Sequence, residues 1–199
     1  MTIYLAVAPP RAGTTVLMKA FEAGGLPVRV NAARDAVNRV ASDGFQLNPG
    51  SLYELLGEDF KRPDFEAWAL GHAVKVIFGW LPDLPVLTQA RYRVALIERD
   101  LEEIRQAHEA ARILDVPVEW YAERYAWART QLQRPDVADV RTIRYRDLVF
   151  DPVTTLASLE WPLDATQAAA VVDPAQYIMR NPETGVAKHP EHPYLTVGL

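Results

Sequence analysis

The sequence predicts a three-layer α/β domain, a mainly parallel central sheet flanked by helices, on two observations. Short β-branched apolar runs alternate with segments of helical periodicity along most of the chain. The first such run passes through a turn rich in proline, glycine and threonine straight into a helix.

The run Ile3 to Ala8 (IYLAVA) reads as a buried strand that ends at Pro9-Pro10. Thr14 or Thr15 then caps a helix whose apolar positions are Val16, Leu17, Ala20 and Phe21, and Gly24-Gly25 closes it. Residues 26 to 72 carry weaker signals, broken by Asn48-Pro49-Gly50 and Arg62-Pro63, and give only short helices near 51 to 57 and 64 to 71. Ala73 to Phe78 and Arg93 to Ile97 are the second and third strands.

Asp100, Glu102 and Glu103 suit the positive end of a helix. Leu101, Ile104, Ala107, His108, Ala111 and Leu114 give that helix an inward stripe, in which His108 reads as a packing residue. Asp115 and Pro117 open another helix, and Trp120, Tyr121, Tyr125 and Trp127 on it read as core rather than as a pocket lining. Val140 to Tyr145 forms a fourth strand, and further helices start at Asp151-Pro152 and at Asp164. The tail from about residue 181 is punctuated by proline and reads as irregular.

With 199 residues, 49% of them hydrophobic, the chain is long enough for one sizeable core, and residues 1–199 are expected to form a single domain. Apolar runs stay well short of a membrane span, and the first residues lack the pattern of a secretion signal, so a soluble, cytoplasmic protein is expected. The absence of cysteine excludes disulfides, thiolate catalysis and thiolate metal sites. A formal charge of -5 argues against nucleic acid as a partner, but a few arginines in one cleft still bind a small anion.

The turn Pro9 to Thr15 carries the chemistry. A glycine-containing link from strand to helix presents unpaired amides and a positive helix end to phosphate or sulfate. Compared with the ATP-binding loop, Ala8 takes the place of the first glycine, Gly13 that of the second, and Thr14 stands where the lysine belongs. The loop is therefore P-loop-like without being an ATP loop. Its cation is Arg11, inside the turn, and the Thr14 and Thr15 hydroxyls can donate to anion oxygens.

Pro10-Arg11-Ala12-Gly13-Thr14-Thr15, between a strand and a helix, resembles the 5′-phosphosulfate loop of the sulfotransferase family, departing at Ala12, where the family has serine. Further likenesses follow in order. Asn48-Pro49-Gly50 with Tyr53-Glu54 resembles a segment of bacterial members, and Val74-Lys75-Val76-Ile77 the lysine strand. Glu98-Arg99-Asp100 resembles the 3′-phosphate motif, and Arg144 to Leu148 with Asp151-Pro152 the late strand and helix. Together these cover most of residues 3 to 160.

The resemblance implies 3′-phosphoadenosine 5′-phosphosulfate as donor, adenosine 3′,5′-bisphosphate as product, a small-molecule or glycan acceptor and no metal. It places Pro10, Arg11, Ala12, Gly13, Thr14 and Thr15 on the 5′ end of the nucleotide, with Arg11 and Lys75 on the leaving group. Arg99 is expected on the 3′-phosphate, through the bidentate geometry of a guanidinium. Arg180 is placed over the nucleotide, and Ala107 falls where the family has a second serine. Ile77 stands where many members carry the histidine base, which leaves Glu54, then His72, as candidate bases. Two other readings stay open: a silent nucleotide-binding module of the same fold, kept alive by Ala12, Ala107 and Ile77, and a P-loop-type kinase, which would need a loop lysine and a magnesium carboxylate.

Overall fold

Thr2–Ala8 forms β1, and every residue after Thr2 is buried, as expected of a strand covered on both faces. The computed structural model describes residues 1–32, 53, 55, 57–110 and 116–174. Beyond β1 these comprise α1 (Thr14–Ala23), α2 (Gly57–Phe60), α3 (Phe65–Ala69), β2 (Ala73–Ile77), a 3-10 turn (Phe78–Asp83) and β3 (Arg91–Glu98). They continue with α4 (Leu101–Ala110), α5 (Val118–Gln131), β4 (Val137–Arg144), α6 (Tyr145–Phe150), α7 (Pro152–Ala157) and α8 (Ala165–Ala169).

The strands form one parallel sheet in the order β2-β1-β3-β4. From β1 the chain moves outward to β2, returns across β1 to β3, and then moves outward the other way to β4. Parallel crossovers are right-handed, so the two outward connections, α1 and the pair α4 and α5, lie on opposite faces. The crevice between the carboxyl ends of β1 and β3, where the winding reverses, is where open α/β sheets receive ligands.

Packing follows strand alternation. Trp161 wedges between α1 and the sheet, its ring centroid 4.9 Å from that of Tyr4 and 5.1 Å from that of Phe21. On α5, Tyr121 and Tyr125 are buried, so the aromatic residues there serve the core as expected. The Tyr125 hydroxyl donates to the Ile97 carbonyl at 3.0 Å, and its ring meets Phe78 edge-on at 5.1 Å. Among the described residues no helix is long and apolar enough to cross a membrane.

Element boundaries differ from expectation at several points, among them Phe78, which opens the 3-10 turn instead of closing β2. β3 begins at Arg91, because Tyr92 is buried and its hydroxyl donates to the Pro85 carbonyl at 3.0 Å, drawing the polar start of the run into the sheet. β4 begins at Val137, because it is an edge strand with alternate residues exposed, so the polar positions Asp139 and Arg141 interrupt a hydrophobic search without ending the strand. Tyr145 opens α6 instead of closing β4. Finally, α1 is capped by Gly13, not by a threonine side chain. The expected short helix near 51 to 57 and the tail from about 181 lie wholly or largely outside the described residues.

Candidate functional site

The turn after β1 is built on two left-handed residues, Arg11 at φ 65° and Gly13 at φ 106°. Alternation of this kind can turn backbone N-H groups to one side of a loop, although the Ala12 amide here donates to the Pro9 carbonyl at 3.4 Å. The first amides of α1 add to it, because a helix start leaves its leading N-H groups without intrahelical acceptors. No acidic residue occupies the first turn of α1, so its positive end is not offset locally.

Gly13 is required twice over. Its φ is one that residues with a Cβ avoid, and a Cβ there would lie 2.3 Å from the ring of Tyr145. Tyr145, at the start of α6, thus packs directly against the turn. Burial raises the pKa of its hydroxyl, with Arg99 and Arg11 pulling the other way. The sequence offers no sign of this contact.

Lys75 lies in β2, paired in register with Ala6. It is only 6% exposed, and its Nζ donates to the Thr15 hydroxyl at 3.1 Å, across the base of the turn. The strand lysine therefore points toward the loop. A cation is brought out of water at the first turn of a helix that carries no acid there.

Arg99 follows β3 on the other side of the crevice, with a side chain 7% exposed. Its Nε donates to Glu103 Oε2 at 2.9 Å, its Nη1 donates to the Arg11 carbonyl at 3.0 Å, and its guanidinium lies 4.8 Å from the centre of the Tyr145 ring. The arginine thus braces the loop and pairs with its own helix. Asp100 caps that helix, accepting from the amides of Glu102 and Glu103.

Other expected site residues are placed differently. Ala12 is fully buried, so its side chain faces the core and no accessible anion. Thr14 is buried as well, whereas Thr15 is half-buried and holds Lys75. Ala107 lies on α4, one turn beyond Glu103. His72 does not belong to this site. It immediately precedes β2, at the amino end of the sheet, with Nδ1 2.7 Å from the Leu70 carbonyl, while the turn lies beyond the carboxyl ends about 16 Å away along a five-residue strand. Glu54 and Arg180 lie outside the described residues.

His108 is buried, as its packing stripe indicates, and its Nδ1 shares a hydrogen bond with the Tyr121 hydroxyl. Its proton affinity is set by burial first and then by Arg11, with the Pro10 carbonyl acting in the opposite sense.

No family model matches the chain, and no curated protein matches it either. Among solved structures, a retinol dehydratase in complex with androsterone and inactive cofactor PAP is similar at 14% identity and a TM-score of 0.39, over 85% of this chain and 62% of that one. The chain accordingly spans less than two thirds of that protein's length.

Proposed function

We propose that this chain is a metal-independent sulfotransferase that holds 3′-phosphoadenosine 5′-phosphosulfate in the crevice between β1 and β3. The observation that carries the reading is Lys75, a buried strand lysine bonded to Thr15 at the turn where the sequence resembles a phosphosulfate loop. A lysine from the neighbouring strand supplies the cation that an ATP loop carries within itself.

The residues fit the 5′ end of such a nucleotide. The turn offers amides, the positive end of α1, Arg11, Lys75 and the Thr15 hydroxyl, and Gly13 lets Tyr145 close against it. At the 3′ end, Arg99 would exchange Glu103 for the 3′-phosphate while Nη1 stays on the Arg11 carbonyl. Pro10 and Thr14 shape the turn, and Ala12 and Ala107 contribute no hydroxyl.

The donor supplies an activated sulfuryl group. Arg11 and Lys75 put positive charge where the bridging oxygen becomes negative as its bond to sulfur breaks. The acceptor oxygen or nitrogen forms the new bond to sulfur, and its proton passes to a base, for which Glu54 remains the candidate. The acceptor is a small molecule or glycan.

Ile77, in place of a histidine base, and the pairing of Arg99 with Glu103 favour one second reading, a module that binds the nucleotide without transferring sulfate. A thermal-shift titration with adenosine 3′,5′-bisphosphate beside ATP with magnesium tests the binding. Saturation at about 100 times the dissociation constant adds about 2.7 kcal/mol. Preference for ATP would sink the proposal, and bisphosphate binding without transfer of labelled sulfate to any acceptor selects the module.

A further inference from the structure

β4 is the outermost strand on its side of the sheet and, among the described residues, pairs only with β3. A strand in that place presents a row of amides and carbonyls outward, a template for a further strand. Edges are commonly blunted by proline, by lysine or by being very short, and β4 has 8 residues with neither proline nor lysine. It carries one irregularity. Ala138 is an extra residue between the partners of Tyr92 and Arg93, so regular pairing runs from Asp139 to Arg144. Within that stretch Val140, a large apolar side chain left 38% exposed, stands between Asp139 and Arg141.

A second copy of the chain fits this edge in one register. Antiparallel pairing of two β4 strands about a two-fold axis normal to the sheet keeps each face on its own side. Side chains alternate between the faces, so only residues of like parity come opposite each other. With the axis at Asp139 or at Arg141, two like charges stand directly opposite, which destabilises the pair. With the axis at Ala138 or Thr142, both charges face uncharged residues. Only with the axis at Val140 does Asp139 of each copy face Arg141 of the other. Within one chain the Arg141 Nε donates to Asp139 Oδ2 at 2.7 Å, so the axis joins two ion pairs into a ring of alternating charge. On the opposite face the two Val140 side chains meet, flanked by the exposed Ala138 and Thr142.

We propose that two copies of this chain pair through β4, antiparallel about a two-fold axis at Val140, so that the sheet of one copy continues into the next. The inference rests on the sheet edge and its charges and is independent of what the turn after β1 binds. Edge pairing alone buries less than the about 1,200–2,000 Å² of a stable complex, so the dimer is reversible and forms in the micromolar range or above. Because the charge ring is partly exposed, added salt weakens the dimer.

Sedimentation velocity of the full chain, from micromolar to submillimolar concentration, should show monomers giving way to dimers. Asp139→Arg and Arg141→Asp each place like charges across the axis, and each alone should raise the dimer dissociation constant at least about tenfold. Mixed in equal amounts, the two variants recover opposite charges at both places and should associate within about threefold of the parent. The chain has no cysteine, so Val140→Cys reads the register independently. Opposite residues of an antiparallel pair have Cα atoms about 4.5–5.5 Å apart, within the span of a disulfide. Mild oxidation should therefore cross-link Val140→Cys to itself faster than Val171→Cys, which is exposed but lies outside β4. This readout decides the matter if a charge variant does not fold. A parent that stays monomeric overturns the proposal, and β4 amides equally protected from hydrogen exchange at every concentration would assign the edge to another segment of the chain. A dimer whose reversed variants gain nothing on mixing, or whose Val140→Cys form cross-links no faster than Val171→Cys, also overturns it.

Discussion

The guanidinium of Arg99 donates to the backbone carbonyl of Arg11 at 3.0 Å, tying the residue that follows β3 to the turn that follows β1. Both walls of the crevice are thereby joined. Arg99→Ala should lower stability by about 2 kcal/mol, the scale of a hydrogen bond from a charged donor, and weaken adenosine 3′,5′-bisphosphate strongly. Arg11→Ala should weaken the nucleotide as well. Equilibrium unfolding and titration calorimetry report the two effects, and unchanged affinity in both variants would remove the site assignment.

Lys75→Met removes the ammonium from Thr15 while keeping a side chain of similar length. Loss of a charge-assisted contact of about 1.5–3 kcal/mol predicts a drop in bisphosphate affinity of about tenfold to a hundredfold. Calorimetry at low and moderate salt checks it.

Gly13→Ala tests the turn itself. Its Cβ would meet the Tyr145 ring at 2.3 Å with φ at 106°, so strain and overpacking together should cost about 3 kcal/mol. Denaturant unfolding should show the midpoint falling with little change in slope.

Ala12→Ser restores the residue that the phosphosulfate loop resemblance calls for. Because position 12 is fully buried, the hydroxyl should lower stability by about 1–2 kcal/mol and leave bisphosphate affinity within about twofold. A clear gain in affinity would refute the burial argument.

Acid sensitivity should arise far from the crevice, at Glu66. Its carboxylate accepts from the amides of Thr88 at 3.0 Å and Gln89 at 2.7 Å and from the Thr88 hydroxyl, and these bonds, the Thr88 amide foremost, lower its pKa from 4.5 to about 2. A depressed carboxyl stabilises the fold fully above about pH 4.5 and loses that contribution as pH falls toward 2. Glu66→Gln should flatten the stability profile across that window, as thermal melts at stepped pH would show.

Much of the architecture was legible in the chain because its causes are local. IYLAVA has the continuous burial of a central parallel strand, and Gly24-Gly25 ends α1 where the pattern says it must. The turn after β1 was legible for the same reason, since Arg11 and Gly13 lie close together along the chain. His72 misled because sequence records that a histidine adjoins β2 but not which end of the sheet it occupies. Helical spacing did place His108 on the buried face of α4, where it lies, but is silent about the Tyr121 hydroxyl that its ring meets there.

By itself, then, the sequence determined the alternation of strands and helices and the sharp turn between β1 and α1, because periodicity, turn chemistry and capping act over a few residues. Only the tertiary structure decided that Lys75 reaches Thr15, that Arg99 is divided between Glu103 and the Arg11 carbonyl, and that Tyr145 presses on Gly13. Those contacts join residues from different strands and helices. They depend on sheet order and strand facing, which the order β2-β1-β3-β4 fixes once the whole core is buried.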